Sequence, residues 1–405
     1  MNVIVMPSGL RGSVRVPASK SAAHRALICA ALADGPTDIS IRALNRDIEA
    51  TAACLNALGA AVEHTPGGLR VSPVARVPEE AALDCGESGS TLRFLIPVAA
   101  ALNARAVFTG RGRLPERPNA VLTEALRAHG ASIDADTLPM RVSGPVAGGR
   151  WALPGNVSSQ YVTGLMFALP LLDGDSEIAL TTALESSAYV DMTLRALARF
   201  GVQVEAIEGG WRIPGRQRYR SPGRMEIEGD WSAAAFWLAA NAMGGEVRPE
   251  GLREDTAQGD RAALTLLGMD RIDASGVPDL VPALAVAAAH RPGQTVITGA
   301  ARLRLKESDR LETVAAMLKA LGHDVRVTAD GLMIEGGAPA PCADAVRVVD
   351  GANDHRVVMA AAVAAAFADR PVRILGAQAV EKSYPDFFRD FESLGGQIHV
   401  EPAGQ

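Results

Sequence analysis

Two kinds of helical run, one amphipathic and one almost wholly apolar, alternate along the chain, and their spacing sets the reading of everything else. The first kind ends in Leu or Phe just before a glycine and recurs six times, in the segments 55–59, 126–130, 197–201, 264–268, 318–322 and 391–395. Each glycine suits the left-handed position that closes a helix, and the β-branched residues after it predict a strand. The second kind is apolar on nearly every face, which predicts a buried helix. Its six copies are Ser21 to Leu32, Ser90 to Leu102, Gln160 to Leu172, Ser232 to Met243, Val281 to His290 and His355 to Phe367.

Strands are predicted after most of the apolar copies, over 35–41, 104–109, 175–180, 293–298 and 371–375, and hairpins at Gly67-Gly68, Gly209-Gly210 and Asp330-Gly331. The repeating unit therefore reads strand, buried helix, strand, surface helix, strand pair. The closing glycines fall roughly 54 to 73 residues apart, too long for a solenoid and suited to a repeated supersecondary unit. Six units divide as three and three, with a joint between Glu228 and Trp231.

Polar residues interrupt this pattern at the starts of the apolar helices: Lys20, Ser21, His24 and Arg25, then Glu87, Gly89, Ser90 and Arg93, then Ser158, Ser159 and Gln160. Asp230 and Ser232, Asp279, and Asp354, His355 and Arg356 follow in the second half. A helix start offers free N–H groups and a positive dipole end, which suits phosphate and carboxylate. Capping alone accounts for a lone Ser or Asp there, so Ser21, Ser90, Ser158, Ser232, Asp230, Asp279 and Asp354 all read as acceptable N-caps. Arg25, Arg93 and Arg356 fall inside helices expected to be buried, where a guanidinium must meet either an acidic partner or a bound anion. The most charged stretch, Arg302 to Arg310, combines cations with Glu307 and Asp309. It reads either as a solvated helix start or as an anion site carrying a proton donor.

The net charge of −6 argues against a general nucleic-acid or membrane-surface partner, so any bound anion must be met by a local cluster. Four well-separated cysteines without a CxxC pair suggest neither a metal site nor a disulfide framework, and fit a reduced, cytoplasmic setting. No export signal is read at the start, and the most apolar stretch, 357–367, is too short to span a bilayer.

Seven motifs occur in order: 17–27 (Pro-Ala-Ser-Lys-Ser-Ala-Ala-His-Arg-Ala-Leu), 86–93 (Gly-Glu-Ser-Gly-Ser-Thr-Leu-Arg), Glu116-Arg117-Pro118, Ser158-Ser159-Gln160, 305–310 (Leu-Lys-Glu-Ser-Asp-Arg), Asp354-His355-Arg356 and Lys382-Ser383-Tyr384-Pro385. Together they resemble the 5-enolpyruvylshikimate-3-phosphate synthase family across essentially the whole chain. The resemblance implies an α/β fold, a two-domain inside-out α/β barrel with three βαβαββ repeats per domain around buried helices and the active site in the interdomain cleft. It places one domain over 17–229, binding mainly shikimate 3-phosphate. The other comprises 1–16 with 230–405 and carries much of the phosphoenolpyruvate site.

It further implies enolpyruvyl transfer from phosphoenolpyruvate to the 5-hydroxyl of shikimate 3-phosphate, in the shikimate pathway, by a cytoplasmic monomer that needs no cofactor and no metal. Carried over by position, Asp279, Glu307 and Lys20 are the catalytic candidates. Lys20, Ser21, Arg25, Ser158, Ser159, Gln160, Ser186, Asp279 and Lys306 would hold shikimate 3-phosphate, with Tyr189 lining the same pocket. Lys20, Gly89, Arg93, Arg117, Gln160, Arg310, Arg356 and Lys382 would hold phosphoenolpyruvate. Glu87 and Arg302 depart from the Asn common at both positions in the family, as do Ala23 and His24 from Ser and Asn. His24 is expected to be a core histidine outside the mechanism.

Two other functions compete. The sister enzyme acting on UDP-N-acetylglucosamine shares the architecture but usually carries a reactive Cys near 111–117, which this chain lacks. A non-catalytic anion-binding protein would need the arginines but not Glu307 beside Lys306.

Overall fold

A computed structural model describes residues 1–401; the last four residues of the expected second domain lie outside the described ones. The chain forms two compact units, one of residues 20–227 and one of residues 1–19 with 228–405. The chain passes from one unit to the other at 19/20 and 227/228 because Pro17 to Ser19 pair with Glu228 to Asp230. Ala18 bridges Gly229, the Asp230 N–H donates to the Pro17 carbonyl at 2.9 Å and the Ser19 N–H to the Glu228 carbonyl at 2.8 Å.

In the 20–227 unit the helices are α1 (Lys20–Ala31), α2 (Arg46–Ala57), α3 (Gly89–Ala101), α4 (Ala120–Ala128), α5 (Ser159–Ala168) and α6 (Ser187–Arg199). α1, α3 and α5 are the apolar copies, buried over most of their length as their lack of a polar face requires. α2, α4 and α6 keep a polar face outward and bury the other. Three four-stranded sheets cover this unit, and each repeats one order. A strand pairs in parallel with the strand that follows an inner helix, and a hairpin then extends the sheet antiparallel. Thus Arg224–Glu226 runs parallel to Thr37–Ser40, which pairs antiparallel with Gly68–Ser72 and its hairpin partner Ala61–Thr65.

The other unit holds α7 (Trp231–Ala242), α8 (Ala263–Leu266), α9 (Val281–His290), α10 (Arg310–Ala320), α11 (His355–Ala365) and α12 (Phe387–Ser393). α7, α9 and α11 are its buried helices. Ala-rich faces let them pack around a core that includes Trp237, Leu284, Val357 and Phe387. The N-terminal strand Asn2–Met6 inserts between Val372–Leu375 and Gln397–Glu401, antiparallel to both, and so completes this unit's last sheet from the other end of the chain.

Five of the six predicted helix-closing glycines have positive φ, between 74° and 106° at Gly59, Gly130, Gly201, Gly322 and Gly395. The fourth repeat departs from the pattern. Its surface helix is a single turn preceded by a 3₁₀ turn, Gly268 is absent from the positive-φ set, and its sheet is the parallel pair Arg11–Arg15 with Glu246–Glu250. The segment 264–268 is thus a helix too short to need the left-handed stop.

The caps also sort themselves. Ser158, Asp230 and Asp354 accept backbone N–H bonds at the starts of α5, α7 and α11. Ser21 and Ser90 lie inside their helices, α3 being capped by Ser88 instead. Ser232 bonds the Asp260 carboxylate, and Asp279 turns to cations. The Asp230 carboxylate takes the N–H groups of Ser232 at 2.7 Å and Ala233 at 3.2 Å. Asp230→Ala is therefore expected to lower stability by about 1 kcal/mol in urea denaturation; an unchanged midpoint would show the cap to be idle.

Candidate functional site

The cationic residues of the 20–227 unit gather where α1, α3 and α5 begin. At the first residue of α1, Lys20 places Nζ 2.7 Å from Asp47 Oδ2, an acid from the first turn of α2. Asp47 reads in the sequence as an ordinary helix-dipole acid, and nothing in its neighbourhood announces the lysine it meets. Arg25, buried one turn further along, has only neutral partners among the described residues: Nε donates to Thr193 Oγ1 at 2.9 Å, Nη1 to the Ser21 carbonyl at 2.7 Å and Nη2 to the Tyr189 carbonyl at 2.7 Å. Its guanidinium also lies over the Phe94 ring. Burial pushes its pKa down to about 10, so it stays charged at neutral pH. Ser186, buried and in the left-handed region at φ 55°, opens α6 on the stretch that carries Tyr189.

The α3 and α5 starts meet through Gln160. Its Oε1 accepts from Arg93 Nη1 at 2.7 Å, and its Nε2 donates to Ser90 Oγ at 2.9 Å. Arg93 is held further by Asn119 Oδ1 and the Pro118 carbonyl. Ser159 is buried in the first turn of α5, beside the capping Ser158. Arg117, in extended backbone after the 3₁₀ turn Leu114–Glu116, is also buried. Among the described residues it meets no carboxylate, and its Nε has no hydrogen-bond partner. Its guanidinium crosses Gly89 so closely that a Cβ there would lie 2.7 Å from Nη1. Glu87 turns toward Gly112. His24 is a core residue: Nδ1 bonds Thr51 Oγ1 at 2.7 Å, and burial, then Lys20 and Arg25, hold its pKa well below the ordinary value, so it is neutral.

In the other unit the charges are paired. Arg310, the first residue of α10, is 1 % exposed, and one guanidinium serves three acids. Nε donates to Asp354 Oδ2 at 2.9 Å, Nη1 to Asp279 Oδ1 at 3.0 Å and Nη2 to Glu307 Oε2 at 2.6 Å. Burial alone would favour its neutral form, but Asp354, Glu307 and Asp279 outweigh that and raise its pKa. Asp354 is shifted the opposite way: burial opposes its charge, and Arg310 overcomes the burial. Asp279 also accepts from Arg356 Nη2 at 3.1 Å and lies 3.4 Å from Lys306 Nζ. Lys382, buried at the end of a 3₁₀ turn, donates to the Asn353 carbonyl at 2.7 Å.

Glu307 precedes α10, and it is Asp309 that caps this helix. The stretch 302–310 is thus a 3₁₀ turn and a cap feeding a buried ion cluster. Arg302 donates to the Ser275 carbonyl at 2.8 Å. An acidic partner explains Arg356; it does not explain Arg25. Among the described residues no group of three His, Cys, Asp or Glu side chains could hold a metal, and no helix is long and apolar enough to cross a membrane.

Comparison with known proteins places these clusters in context. The family model described as EPSP synthase (3-phosphoshikimate 1-carboxyvinyltransferase) matches residues 4–270 and 265–391. The 3-phosphoshikimate 1-carboxyvinyltransferase of Clostridium novyi (strain NT) is 40 % identical, over 98 % of this chain and 98 % of its own, and that of Clostridium acetobutylicum 39 %, over 100 % of both. Among solved structures, EPSP synthase from Acinetobacter baumannii superposes with a TM-score of 0.82 at 26 % identity, over 99 % of this chain and 100 % of its own. The enolpyruvyl transferase NikO from Streptomyces tendae, at 17 % identity and a TM-score of 0.77 over 98 % of both chains, shares the fold.

Proposed function

We infer the working parts of this chain from the premise that it belongs to the EPSP synthase (3-phosphoshikimate 1-carboxyvinyltransferase) family. The enzyme transfers the enolpyruvyl group of phosphoenolpyruvate to the 5-hydroxyl of shikimate 3-phosphate and releases phosphate, a step of the shikimate pathway toward aromatic amino acids. It acts on two small anionic substrates. We place it in the cytoplasm as a monomer.

The observation that carries the assignment of residues is that Arg25 and Arg117 are buried without an acidic partner among the described residues, so each offers a desolvated positive charge to an anion. Arg25, Ser21, Ser158, Ser159, Gln160 and Ser186 hold shikimate 3-phosphate, with Tyr189 beside them, and Asp279 and Lys306 are assigned to the same ligand by their match to the family's positions. Arg93, Arg117, Gln160 and Gly89 hold phosphoenolpyruvate, as do Arg310, Arg356 and Lys382, and Lys20 serves both ligands.

The chemistry adds a proton to the methylene carbon of phosphoenolpyruvate, which leaves its second carbon electron-poor. The 5-hydroxyl attacks that carbon and gives up its proton. The tetrahedral adduct then loses a methyl proton and phosphate, restoring the double bond. Glu307 gives the carbon its proton and takes one back, Asp279 receives the hydroxyl proton, and Lys20 steadies the departing phosphate and assists the proton transfers. Arg310 bonds Asp279 and Glu307 through different nitrogens, so one rigid fork orients both acids.

Phosphate release measured with phosphoenolpyruvate and shikimate 3-phosphate, and separately with UDP-N-acetylglucosamine, tests the assignment. Turnover with the shikimate substrate alone is expected; turnover with only the nucleotide sugar, or with neither, would overturn it.

Gly89 supplies a sharper test. A methyl group there would meet Arg117 Nη1 at 2.7 Å and Cζ at 2.9 Å and push the guanidinium off its line. Gly89→Ala should raise the KM for phosphoenolpyruvate by about tenfold, the loss of one charge-assisted hydrogen bond, while kcat falls less. Inhibition by glyphosate should weaken in parallel. Unaltered kinetics would place phosphoenolpyruvate elsewhere.

A further inference from the structure

A buried line of polar side chains inside the 20–227 unit runs from α1 through α2 to the start of α3. His24 Nδ1 lies 2.7 Å from Thr51 Oγ1, Thr51 Oγ1 lies 2.6 Å from Thr91 Oγ1, and the Thr91 hydroxyl donates to Ser88 Oγ at 2.7 Å. Ser88 Oγ also accepts the Thr91 N–H at 3.2 Å and so caps α3. All four residues are 1 % exposed or less, which keeps bulk water from replacing a lost link. Lys20 and His24 are four apart on α1, and Asp47 and Thr51 four apart on α2, so each pair shares a helix face. The Lys20–Asp47 ion pair and the His24–Thr51 bond are thus two rungs between the same helices, and the second continues to α3.

Counting protons gives the line a direction. A threonine hydroxyl has one hydrogen to give. Thr91 spends its hydrogen on Ser88, so it accepts from Thr51; Thr51 then has none left and accepts from His24. Nδ1 therefore carries the ring proton. Burial, then Lys20 and Arg25, keep the ring neutral, which leaves Nε2 bare. Nε2 is buried and has no hydrogen-bond partner among the described residues. The imidazole is committed to a single bond, at the head of the line.

We propose that His24 is a positioning residue for phosphoenolpyruvate, acting through Thr51, Thr91 and Ser88 to fix where α3 begins. The proposal rests on the functional reading above. Ser88 directly precedes Gly89 and Ser90. A shift of this cap is passed to Gly89, where Arg117 crosses, and through Ser90 and Gln160 to Arg93. Arg25 is held by its own bonds to Thr193, Ser21 and Tyr189, off the line, so the shikimate 3-phosphate side is disturbed less.

The test compares His24→Asn with His24→Leu. The two replacements are alike in size, but the Asn amide carries an N–H donor on an atom that corresponds to Nδ1, and Leu carries none. His24→Leu should raise the KM for phosphoenolpyruvate by about three- to tenfold, the loss of one hydrogen bond, with kcat and the KM for shikimate 3-phosphate changing less. His24→Asn should stay nearer the wild type. Thr51→Val, which exchanges the hydroxyl for a methyl group, should match His24→Leu, and the two together should cost little more than either alone, because the links of one line fail as a unit. A KM for phosphoenolpyruvate in His24→Asn no lower than in His24→Leu, or losses that add in the double variant, overturns the proposal.

Nitrogen NMR of His24 reads the direction of the line without catalysis. The proton is expected on Nδ1, and a proton on Nε2 would reverse the line and overturn the proposal. A wild type with no turnover of shikimate 3-phosphate instead overturns the functional reading, and this role with it, while the NMR signature of the line stays as described.

Discussion

Glu307→Gln is expected to lower kcat by about 10²- to 10⁴-fold, the usual contribution of a positioned acid or base, with only a small change in the KM for either substrate. The geometry allows this separation. Gln keeps the size of the side chain and an oxygen that can still accept from Arg310 Nη2, which now reaches Glu307 Oε2 at 2.6 Å. Arg310 also retains Asp354 and Asp279, so the cluster keeps its shape. What is lost is a group that can carry a proton to carbon and back. Steady-state rates together with urea unfolding check the claim: kcat within tenfold of wild type at unchanged stability would remove Glu307 from the chemistry. A large stability loss would mean that its charge is structural.

Arg310→Met should have the opposite signature. The guanidinium is 1 % exposed and is the cation that Asp354, Asp279 and Glu307 have in common. Asp354 depends on it most, being wholly buried and held in its charged form against burial by Arg310. Removing one partner of a buried ion pair strands the other, at a cost of about 3–5 kcal/mol. Much of the stability of an ordinary domain would go, seen as a large drop in the urea midpoint, and activity would fall with it. The loss should shrink at acid pH: Arg310 depresses the Asp354 pKa, so the stability the pair contributes is present above the unfolded carboxyl value and disappears as the pH falls through the folded one. Wild-type stability in Arg310→Met at neutral pH would show that the three acids find other partners.

The contrast between these two substitutions shows what was legible along the chain. The polar helix starts and the run Lys306-Glu307 stand out against an alanine-rich background, and the motifs around them carry the family resemblance. That Glu307 would lie outside α10, and that Asp309 rather than an earlier acid would cap it, was not legible. Several residues pass the cap test in sequence, whereas backbone geometry admits one. Ser90, Ser232 and Asp279 illustrate the same limit. Each has the composition of a cap, and each instead turns to Gln160, Asp260, or Arg310 and Arg356. Asp47 and Asp260 left no signal at all, because a lone acid in a short turn or a first helical turn looks the same whether it faces water, a lysine or a hydroxyl.

The sequence by itself determined the repeat. Hydrophobic periodicity and helix-closing glycines are local properties, set by backbone sterics and by how much of a helix must leave water, and they can be read without knowing what lies across the core. It also singled out the arginines inside apolar helices, since a guanidinium there must meet a charge or an acceptor somewhere. Only the tertiary structure decided which one. Arg25 is left with neutral oxygens while Arg310 is given three acids, and residues far apart in the chain supply those neighbours. Electrostatic energy depends on distance and burial in space, and neither is written in the order of the residues.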